Sequence, residues 1–363
     1  MTAPLLRLLA DDLTGALDTA AEMTGLCGPV PVRWDAAPLQ ASAAFSSGSR
    51  EAPRDAAIKA VRAFTPLLAG ADIAYRKLDS LLRGNVAAEL AACWATGFWR
   101  HCVLAPAFPA QGRIARDGKL WARRADGAFA PITMPDWSAE NLFIHHGLSS
   151  QSLRDGITWF DADSDEDLAQ ITALADTAKG PILWAGSGGL ARALAGDART
   201  TFQTDLQAPV LGLFGSDQIV TARQLAACGS TWLCIHDASE APRIAAQLAT
   251  GAALVSITLP DGMPRSTAAQ RIAGIFADLL RSLPRPGTLI VAGGETLRAI
   301  CDALGADGSV ATGLVAPGVP RSILQGGAWD GLPVISKSGA FGQDALLSDL
   351  LAANHLPSGS IAA

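Results

Sequence analysis

Two adjacent carboxylates, Asp11 and Asp12, follow Ala10 and a short, mainly apolar run that contains Leu5, Leu6, Leu8 and Leu9. Such a run is typical of a buried strand in a parallel sheet. In an open α/β sheet the residues that follow a strand face the ligand crevice, and carboxylates there are costly to bury without partners. The pair therefore either contacts a hydroxyl, a metal or a basic group, or it caps the helical pattern that begins near Ala16, because aspartate is a good N-cap.

Residues 76–85, RKLDSLLRGN, bring cations and hydroxyl-binding side chains together within a few positions. Lys77 and Arg83 can jointly hold a carboxylate or a phosphate, with the arginine acting as a bidentate fork. Asp79 and Ser80 can form hydrogen bonds with sugar hydroxyls. The segment therefore predicts a site for a small anionic, hydroxylated ligand, and the alternative is a solvated charged turn.

Three glycine loops in the second half of the chain each lie between a predicted strand and a predicted helix. They comprise residues 215–216, 293–296 and 337–342, and the last begins with Lys337. Glycine allows the backbone to approach a ligand closely, and a helix N-terminus offers free N–H groups to phosphate. The loops predict nucleotide binding, although each one alone is also common between elements of α/β proteins. No G-x-x-x-x-G-K-[ST] motif occurs, so the sequence is not that of a P-loop enzyme.

Residues 186–191, GSGGLA, formally match the dinucleotide fingerprint G-x-G-x-x-A, and Asp205 lies about 20 residues further on, as that motif requires. Asp205, however, lies in a polar linker and not at the end of a second strand. Close packing of a helix against a sheet accounts for these glycines equally. A nicotinamide-dependent dehydrogenase of a small hydroxy acid therefore stays an alternative, as does a non-catalytic protein that binds a sugar acid.

The elements that must position these loops alternate between strand-like and helix-like segments, which predicts an α/β fold. The length of 363 residues suits about two domains of ~150 residues each. Periodicity is lost over residues 198–209, where the segment ends in a proline. We therefore expect an N-terminal domain over residues 1–205 and a C-terminal domain over residues 206–363, each with a mainly parallel sheet flanked by helices.

Composition excludes several functional classes. The formal net charge of -6 argues against a general surface for nucleic acid or anionic membranes. No apolar run approaches the ~18 residues of a membrane span, and the N-terminus lacks the pattern of a signal peptide. The six cysteines form no C-x-x-C pair, so we expect reduced, buried thiols in a cytoplasmic protein.

Taken together, the loops resemble those of the four-carbon acid sugar kinases, formerly a domain family of unknown function. The resemblance spans nearly the whole chain and rests on segments that occur in the family's order: ADDLTGALDTA, KLDSLLRGN, APAFPAQGR, AGSGGLARAL, FGSDQIVTARQL, VAGGETLRAI and KSGAFG. It implies ATP-dependent phosphorylation of the terminal hydroxyl of D-threonate, D-erythronate or 3-oxo-tetronate. It also implies that the N-terminal domain binds the acid sugar and the C-terminal domain binds ATP.

The resemblance and the loop chemistry together give two sets of site residues. The predicted substrate-binding residues are Asp11, Asp12, Arg50, Lys77, Asp79, Ser80 and Arg83. The predicted nucleotide-binding residues are Ser216, Gly293, Gly294, Glu295, Thr296, Lys337 and Gly339. Leu81 stands where the family usually has threonine, and Arg321-Ser322 stands where it tends to Val-Gly. These differences bear on the choice of substrate more than on the reaction class.

The expected mechanism is direct phosphoryl transfer in a cleft between the domains, with ATP and Mg²⁺. Such chemistry depends mainly on positioning and on neutralisation of charge. Asp12 is the predicted group that orients or deprotonates the attacking hydroxyl, and Asp79 is the second candidate. A homodimer is a further expectation, whereas nucleic acid and membranes are not expected partners.

Overall fold

Two compact units, which divide between Thr200 and Thr201, make up the protein in the computed structural model. The structure describes residues 3–124, 126–147, 152–260 and 262–358. Each unit contains a mainly parallel sheet with helices packed on it. The predicted α/β class is therefore confirmed.

A parallel sheet forms the centre of the first unit. Its strands lie in the order β2-β3-β1-β4-β11-β5-β10-β9, and a separate antiparallel sheet contains β6, β7 and β8. The strands are β1 (Leu6–Ala10), β2 (Val30–Arg33), β3 (Ala43–Ser46), β4 (Ile73–Lys77), β5 (His101–Ala105), β6 (Arg113–Arg116), β7 (Lys119–Arg123), β8 (Phe129–Pro131), β9 (Ile144–Gly147), β10 (Gly156–Phe160) and β11 (Ile182–Gly186).

The helices of the first unit are α1 (Leu13–Glu22), α2 (Thr24–Cys27), α3 (Arg54–Phe64), α4 (Val86–Trp94), α5 (Asp165–Ala173) and α6 (Gly188–Ala195). All ten residues of α1 are buried, which is unusual for a helix that carries Asp18 and Glu22. A helix buried on every side must satisfy its ionisable side chains with partners inside the protein. This requirement determines much of the chemistry described below.

In the second unit the strands lie in the order β13-β14-β12-β15-β18-β17-β16, and β17 pairs antiparallel with both β16 and β18. The strands are β12 (Val210–Phe214), β13 (Trp232–Ile235), β14 (Ala252–Ile257), β15 (Thr288–Ala292), β16 (Gly308–Ala316), β17 (Val319–Gln325) and β18 (Pro333–Lys337). The helices are α7 (Ile219–Ala226), α8 (Ala241–Leu248), α9 (Arg265–Ser282), α10 (Gly294–Leu304) and α11 (Leu346–Ala353).

Central strands of both units are buried along their whole length and are mostly apolar, although β1 includes Arg7 and β15 begins with Thr288. Every residue of β1, β12 and β15 is buried, because helices cover both faces of a parallel sheet. This burial leaves few places for polar side chains other than the strand ends. The sites predicted from the sequence lie at those ends.

Within the described residues, no helix is both long and apolar enough to cross a bilayer. Four of the cysteines are buried and Cys27 is half-buried, but Cys234 is exposed. The expectation of uniformly buried thiols was therefore wrong for Cys234. Its strand, β13, lies at the edge of the sheet, where the thiol faces out beside Thr258.

Candidate active site

Three neighbouring strands of the first unit end at one edge of the sheet. β3, β1 and β4 are adjacent and parallel, so Ala10 lies opposite Ser46 and Leu9 lies opposite Arg76. The loops that follow these strands carry the predicted substrate-binding residues. The topology therefore brings three segments that are distant in sequence to one place.

Arg50 lies at the centre of this group. Its Nε and Nη2 donate to the two oxygens of Asp11 at 2.8 and 2.7 Å, and its Nη1 and Nη2 donate to Asp12 at 2.6 and 3.0 Å. Nη2 also lies 3.4 Å from Oδ1 of Asp79. Burial alone would lower the pKa of Arg50, but these three carboxylates outweigh burial and raise it well above its usual value. The guanidinium is therefore always charged.

Asp12 has two roles that the sequence presented as alternatives. Its Oδ1 accepts a hydrogen bond of 2.7 Å from the amide of Gly15, so it is the N-cap of α1, and both of its oxygens also accept from Arg50. Burial raises the pKa of Asp12, and the negative charge of Asp11 adds to this effect against the opposing charge of Arg50. In Asp11, by contrast, Arg50 outweighs burial and the pKa is lowered.

Asp79 holds a tight turn together. Its carboxylate accepts from the backbone amides of Leu81 and Arg83 at 3.1 Å and from Nε and Nη2 of Arg83 at 2.9 and 2.8 Å. Burial would raise the pKa of Asp79, but Arg50 and Arg83 hold it well below its usual value. The side chain of Arg83 is still 43% exposed, whereas the neighbouring Ser80 is buried.

Lys77, the last residue of β4, lies beside the first turns of α1. Its Nζ is 3.8 Å from Oδ1 of Asp18, which is an ion pair but too long for a hydrogen bond. A Cβ placed on Gly15 would be 3.1 Å from this ammonium and 2.5 Å from Oδ1 of Asp12. Only glycine at position 15 therefore leaves room for Lys77 at the capped end of the helix.

Sequence reasoning missed Asp18, which is buried in α1. Burial raises the pKa of Asp18 to about 6, against the opposing positive charge of Lys77. It also missed the buried ion pair of 2.6 Å between Arg76 and Glu89. In both cases a signal was available, because each acid lies in a helix that is otherwise small or apolar, ALDTAAE and VAAELAACW.

The predicted nucleotide-binding loops also meet at one edge. β12, β15 and β18 are adjacent and parallel, and Phe214, Ala292 and Lys337 lie opposite one another at their ends. The loops touch so closely that a Cβ on Gly339 would be 1.8 Å from Oγ of Ser216. A Cβ on Gly215 would similarly be 2.1 Å from Oγ1 of Thr296. The glycines are therefore required for these three loops to come together.

Gly293 immediately precedes α10 and has a φ of 112°, a conformation that glycine adopts without strain. Gly294 begins α10 and is not among the residues with positive φ. Glu295 is exposed in the first turn, whereas Thr296 is buried and faces Gly215. The free N–H groups at the start of α10 thus lie beside Gly293 and Gly294, which are both half-buried.

Lys337 is only 1% exposed. Its Nζ donates to Oγ1 of Thr221 at 3.1 Å and to the carbonyl of Gly339 at 3.3 Å, and the Thr221 hydroxyl donates to the same carbonyl at 2.8 Å. Burial lowers the pKa of Lys337 to about 7, and no acidic partner within the described part of the chain offsets this effect. The ammonium thus lies directly under the glycine loop that follows β18.

The glycines of residues 186–191 serve packing. A Cβ on Gly186 would be 2.5 Å from the carbonyl of Ala105, and one on Gly189 would be 2.4 Å from the carbonyl of Ala107. Gly186, the last residue of β11, therefore lets that strand lie close to the end of β5, and Gly189 lets the start of α6 approach the segment that follows β5. The packing alternative therefore accounts for both glycines.

A metal site built only from protein ligands is not evident: across the described ranges, no three His, Cys, Asp or Glu side chains are grouped to hold a metal ion. The carboxylates of Asp11, Asp12, Asp79 and Asp18 are instead paired with Arg50, Arg83 and Lys77.

Two protein-family models match the chain, one within each of its two units. A model of a sugar-binding N-terminal domain matches residues 6–147, and a model of a nucleotide-binding C-terminal domain matches residues 211–347. The acidic cluster around Arg50 falls within the first match, and the three glycine loops fall within the second.

Characterised relatives are similar over almost the whole chain. The D-threonate kinase of Cupriavidus necator is 30% identical over 94% of this chain and 95% of that protein. The D-threonate kinase of Salmonella typhimurium is 28% identical over 95% of this chain and 97% of that protein.

Two solved structures share the fold. A protein from Salmonella typhimurium LT2 gives a TM-score of 0.73 at 20% identity and covers 97% of this chain and 99% of that one. A DUF1537 protein from Haemophilus influenzae gives a TM-score of 0.66 at 20% identity and covers 96% and 100%.

The raised pKa of Asp18 leads to a prediction about stability. The pKa of Asp18 is about 6 in the folded protein, whereas the pKa of an aspartate in an unfolded chain is about 4. Protonation of Asp18 therefore makes its full contribution to the free energy of unfolding below pH 4. This contribution is lost as the pH rises through 6. Asparagine does not titrate, so the free energy of unfolding of Asp18→Asn minus that of wild type should increase by about 2–3 kcal/mol from pH 4 to pH 7.5.

Urea denaturation of both proteins across this pH range measures the difference. Asp35→Asn is the control: Arg33 lowers the pKa of Asp35, so its titration lies below pH 4 and the difference should stay nearly flat. If the difference in free energy of unfolding between Asp18→Asn and wild type were also independent of pH, the raised pKa of Asp18 would be contradicted.

Proposed function

This chain belongs to the four-carbon acid sugar kinase family and is therefore a sugar-acid kinase that uses ATP, and we propose that its substrate is a four-carbon sugar acid of the threonate, erythronate or 3-oxo-tetronate type, phosphorylated on the terminal hydroxyl. The observation that carries the proposal is the full-length similarity to D-threonate kinases. The cluster around Arg50 supports it with chemistry suited to a small hydroxylated acid.

The substrate carboxylate would be held by Arg83 and Lys77. Arg83 is anchored by Asp79 on one side and exposed on the other, so it can form charge-assisted hydrogen bonds without losing its position. Lys77 has an ammonium whose contact with Asp18 is longer than a hydrogen bond, which leaves donors for a ligand. Ser80 adds a hydroxyl beside them. Nε, Nη1 and Nη2 of Arg50 all donate to aspartates. Its role in substrate binding would therefore be to hold in place the carboxylates that face the hydroxyls of the sugar acid.

We infer that Asp12 accepts the proton of the attacking hydroxyl. Its pKa is raised by burial, which brings the carboxylate closer to the pH at which a general base is most effective. Asp79 is less suitable, because its pKa is lowered and its side chain is only 4% exposed, against 17% for Asp12. A loose transition state demands little proton removal before attack, so a modest base suffices.

The phosphates of ATP would lie against the glycine loops of the second unit. Gly293 and Gly294 allow close backbone approach at the start of α10, where free N–H groups and the helix dipole favour negative charge. A buried cation without an acidic partner is costly, and a phosphate beside the Gly339 loop would stabilise the charged form of Lys337. Ser216 and Thr296 contribute hydroxyls at the same edge.

Mg²⁺ fits this arrangement as a phosphate-bound ion. Magnesium in kinases usually keeps several waters and is bound through one or two carboxylates together with substrate phosphates. The exposed Glu295, in the first turn of α10, would provide a carboxylate of this kind beside the phosphates without a dedicated protein cage. Bound Mg²⁺ would neutralise charge on the transferring phosphoryl group.

A coupled assay of ADP release across sugar acids of four to six carbons tests the proposal. We expect the highest kcat/KM with a four-carbon acid. The neutral polyol of the same length should give little product, because it lacks the carboxylate that Arg83 and Lys77 would hold. Preference for a longer acid, or equal activity with the polyol, would overturn the proposed substrate.

Asp12→Asn tests the catalytic assignment. We expect turnover to fall by ~10²–10⁴-fold, the range for a positioned acid–base group. The melting temperature should change little, because asparagine caps a helix about as well as aspartate. Asp237→Asn is the matched control, since Asp237 also accepts a backbone amide at a helix start but lies elsewhere. Near-normal turnover in a folded Asp12→Asn variant would leave Asp12 with its capping role and its ion pair with Arg50 only.

Gly294→Val tests the nucleotide assignment. Position 294 has no positive φ, so valine there should be tolerated by the fold, yet its side chain would fill the space where phosphate would approach. We expect ATP binding to weaken by more than about 100-fold while the sugar acid still binds. Isothermal titration with each ligand, on a variant shown to be folded by circular dichroism, provides the measurement. Unchanged ATP affinity would place the nucleotide at another site.

A further inference from the structure

A buried polar chain lies directly behind the cluster around Arg50. Glu89, on α4, accepts from Nη2 of Arg76 at 2.6 Å, and its other oxygen accepts a short hydrogen bond from Oγ of Ser49. Arg76 also donates to the carbonyl of Leu9 at 3.1 Å. Glu89, Arg76 and Ser49 are all at most 1% exposed and lie behind the cluster, on the side away from the exposed face of Arg83 and Asp12.

The last residue of this hydrogen-bonded series, Ser49, immediately precedes Arg50 in the sequence. The amides of Ser49 and Arg50 both donate to the carbonyl of Asp11, at 2.9 and 3.3 Å. Oγ of Ser49 also lies 2.7 Å from Oγ of Ser47, which donates to the carbonyl of Ala10. The hydroxyl of Ser49 thus joins the interior of the unit to the backbone from which the Arg50 side chain starts.

The start of α4 holds the same loop from its other side. Nδ2 of Asn85 donates to the carbonyl of Ala52 at 2.8 Å and to that of Ser49 at 3.4 Å. A Cβ on Gly84 would lie 2.9 Å from the carbonyl of Arg50, so the two segments are in direct contact. Helix α4 therefore fixes the loop through its first residues and through Glu89, which lies one turn further along.

We propose that Ser49, held by the Glu89–Arg76 ion pair, is the positioning residue for Arg50 and, through Arg50, for the carboxylates that face the substrate. The reason is geometric. Arg50 uses three nitrogens on three aspartates at 2.6–3.4 Å, and a shift of its backbone would break several of these contacts at once. Buried charges tolerate little loss of partners, so the arginine needs a backbone that is fixed in advance.

This inference rests on the proposed function for its kinetic readout. Ser49→Ala removes one hydroxyl and leaves the Arg76–Glu89 ion pair in place. We expect KM for the sugar acid to rise about tenfold, the effect of one lost buried hydrogen bond to a charged group. KM for ATP should stay within about twofold, since the nucleotide residues lie in another unit.

Ser309→Ala is the matched control. Ser309 is also buried, on β16, and its hydroxyl donates to the carbonyl of Ile323 at 3.1 Å. The variant should lose a similar amount of thermal stability without any change in KM for the acid. If Ser49→Ala likewise lowered only the melting temperature, Ser49 would have a merely structural role and the proposal would be overturned.

A double-mutant cycle with Arg50→Lys tests the route of the effect. If Ser49 acts through Arg50, Ser49→Ala should cost much less acid affinity in the Arg50→Lys background than in wild type. Equal losses in both backgrounds would contradict action through Arg50.

Glu89→Gln separates the ion pair from the hydroxyl. Glutamine keeps an oxygen that can accept from Ser49, so KM for the acid should rise less than in Ser49→Ala even though the melting temperature falls. An equal or larger rise in KM would assign the effect to the ion pair and overturn the role of the Ser49 hydroxyl.

A crystal structure of Ser49→Ala decides the positioning role independently of the substrate. The expected result is an Arg50 guanidinium displaced from Asp11 and Asp12, and an unmoved guanidinium would overturn the inference. If wild type phosphorylates no four-carbon acid, the proposed substrate is wrong, whereas the structure of the variant still decides how Arg50 is positioned.

Discussion

One buried guanidinium, that of Arg50, determines the arrangement of the charged cluster in the first unit. Arg50 is paired with Asp11, Asp12 and Asp79, whose negative charges could not otherwise lie together in the protein interior. Because the three aspartates follow two different strands, the arginine also fixes the relative positions of those strand ends. Its own position depends in turn on the loop that begins at Ser49 and on the helix behind it.

The same architectural rule produces two chemically different sites. In both units parallel strands deliver their loops to one edge of a sheet, the usual place for ligands in α/β proteins. In the first unit the loops contribute charged side chains, which suit a small acid with several hydroxyls. In the second unit they contribute glycines and a helix start, which suit phosphate through the backbone. The two family matches, to a sugar-binding and a nucleotide-binding domain, agree with this difference.

Environment gives similar carboxylates different properties. Asp11 and Asp79 have lowered pKa values because positive charge outweighs burial, whereas Asp12 and Asp18 have raised pKa values because burial prevails. Groups whose pKa values are separated in this way commonly divide into fixed charges and proton-transferring groups. In the proposed kinase, Asp79 would hold Arg83 as a fixed charge and Asp12 would accept a proton.

The sequence by itself determined the α/β class, the family and the segments that carry the chemistry, because these depend on local pattern and on motifs in a given order. Asp12 as a helix cap and the glycines as sites of close approach were likewise readable from neighbouring residues. Only the tertiary structure decided that Arg50, 39 positions from Asp11, is the common partner of three carboxylates. Only the fold likewise paired Asp18 with Lys77 and Glu89 with Arg76, and left Cys234 exposed. The physical reason is that burial and charge pairing arise where distant strand ends meet, and no local pattern specifies which ends will be neighbours.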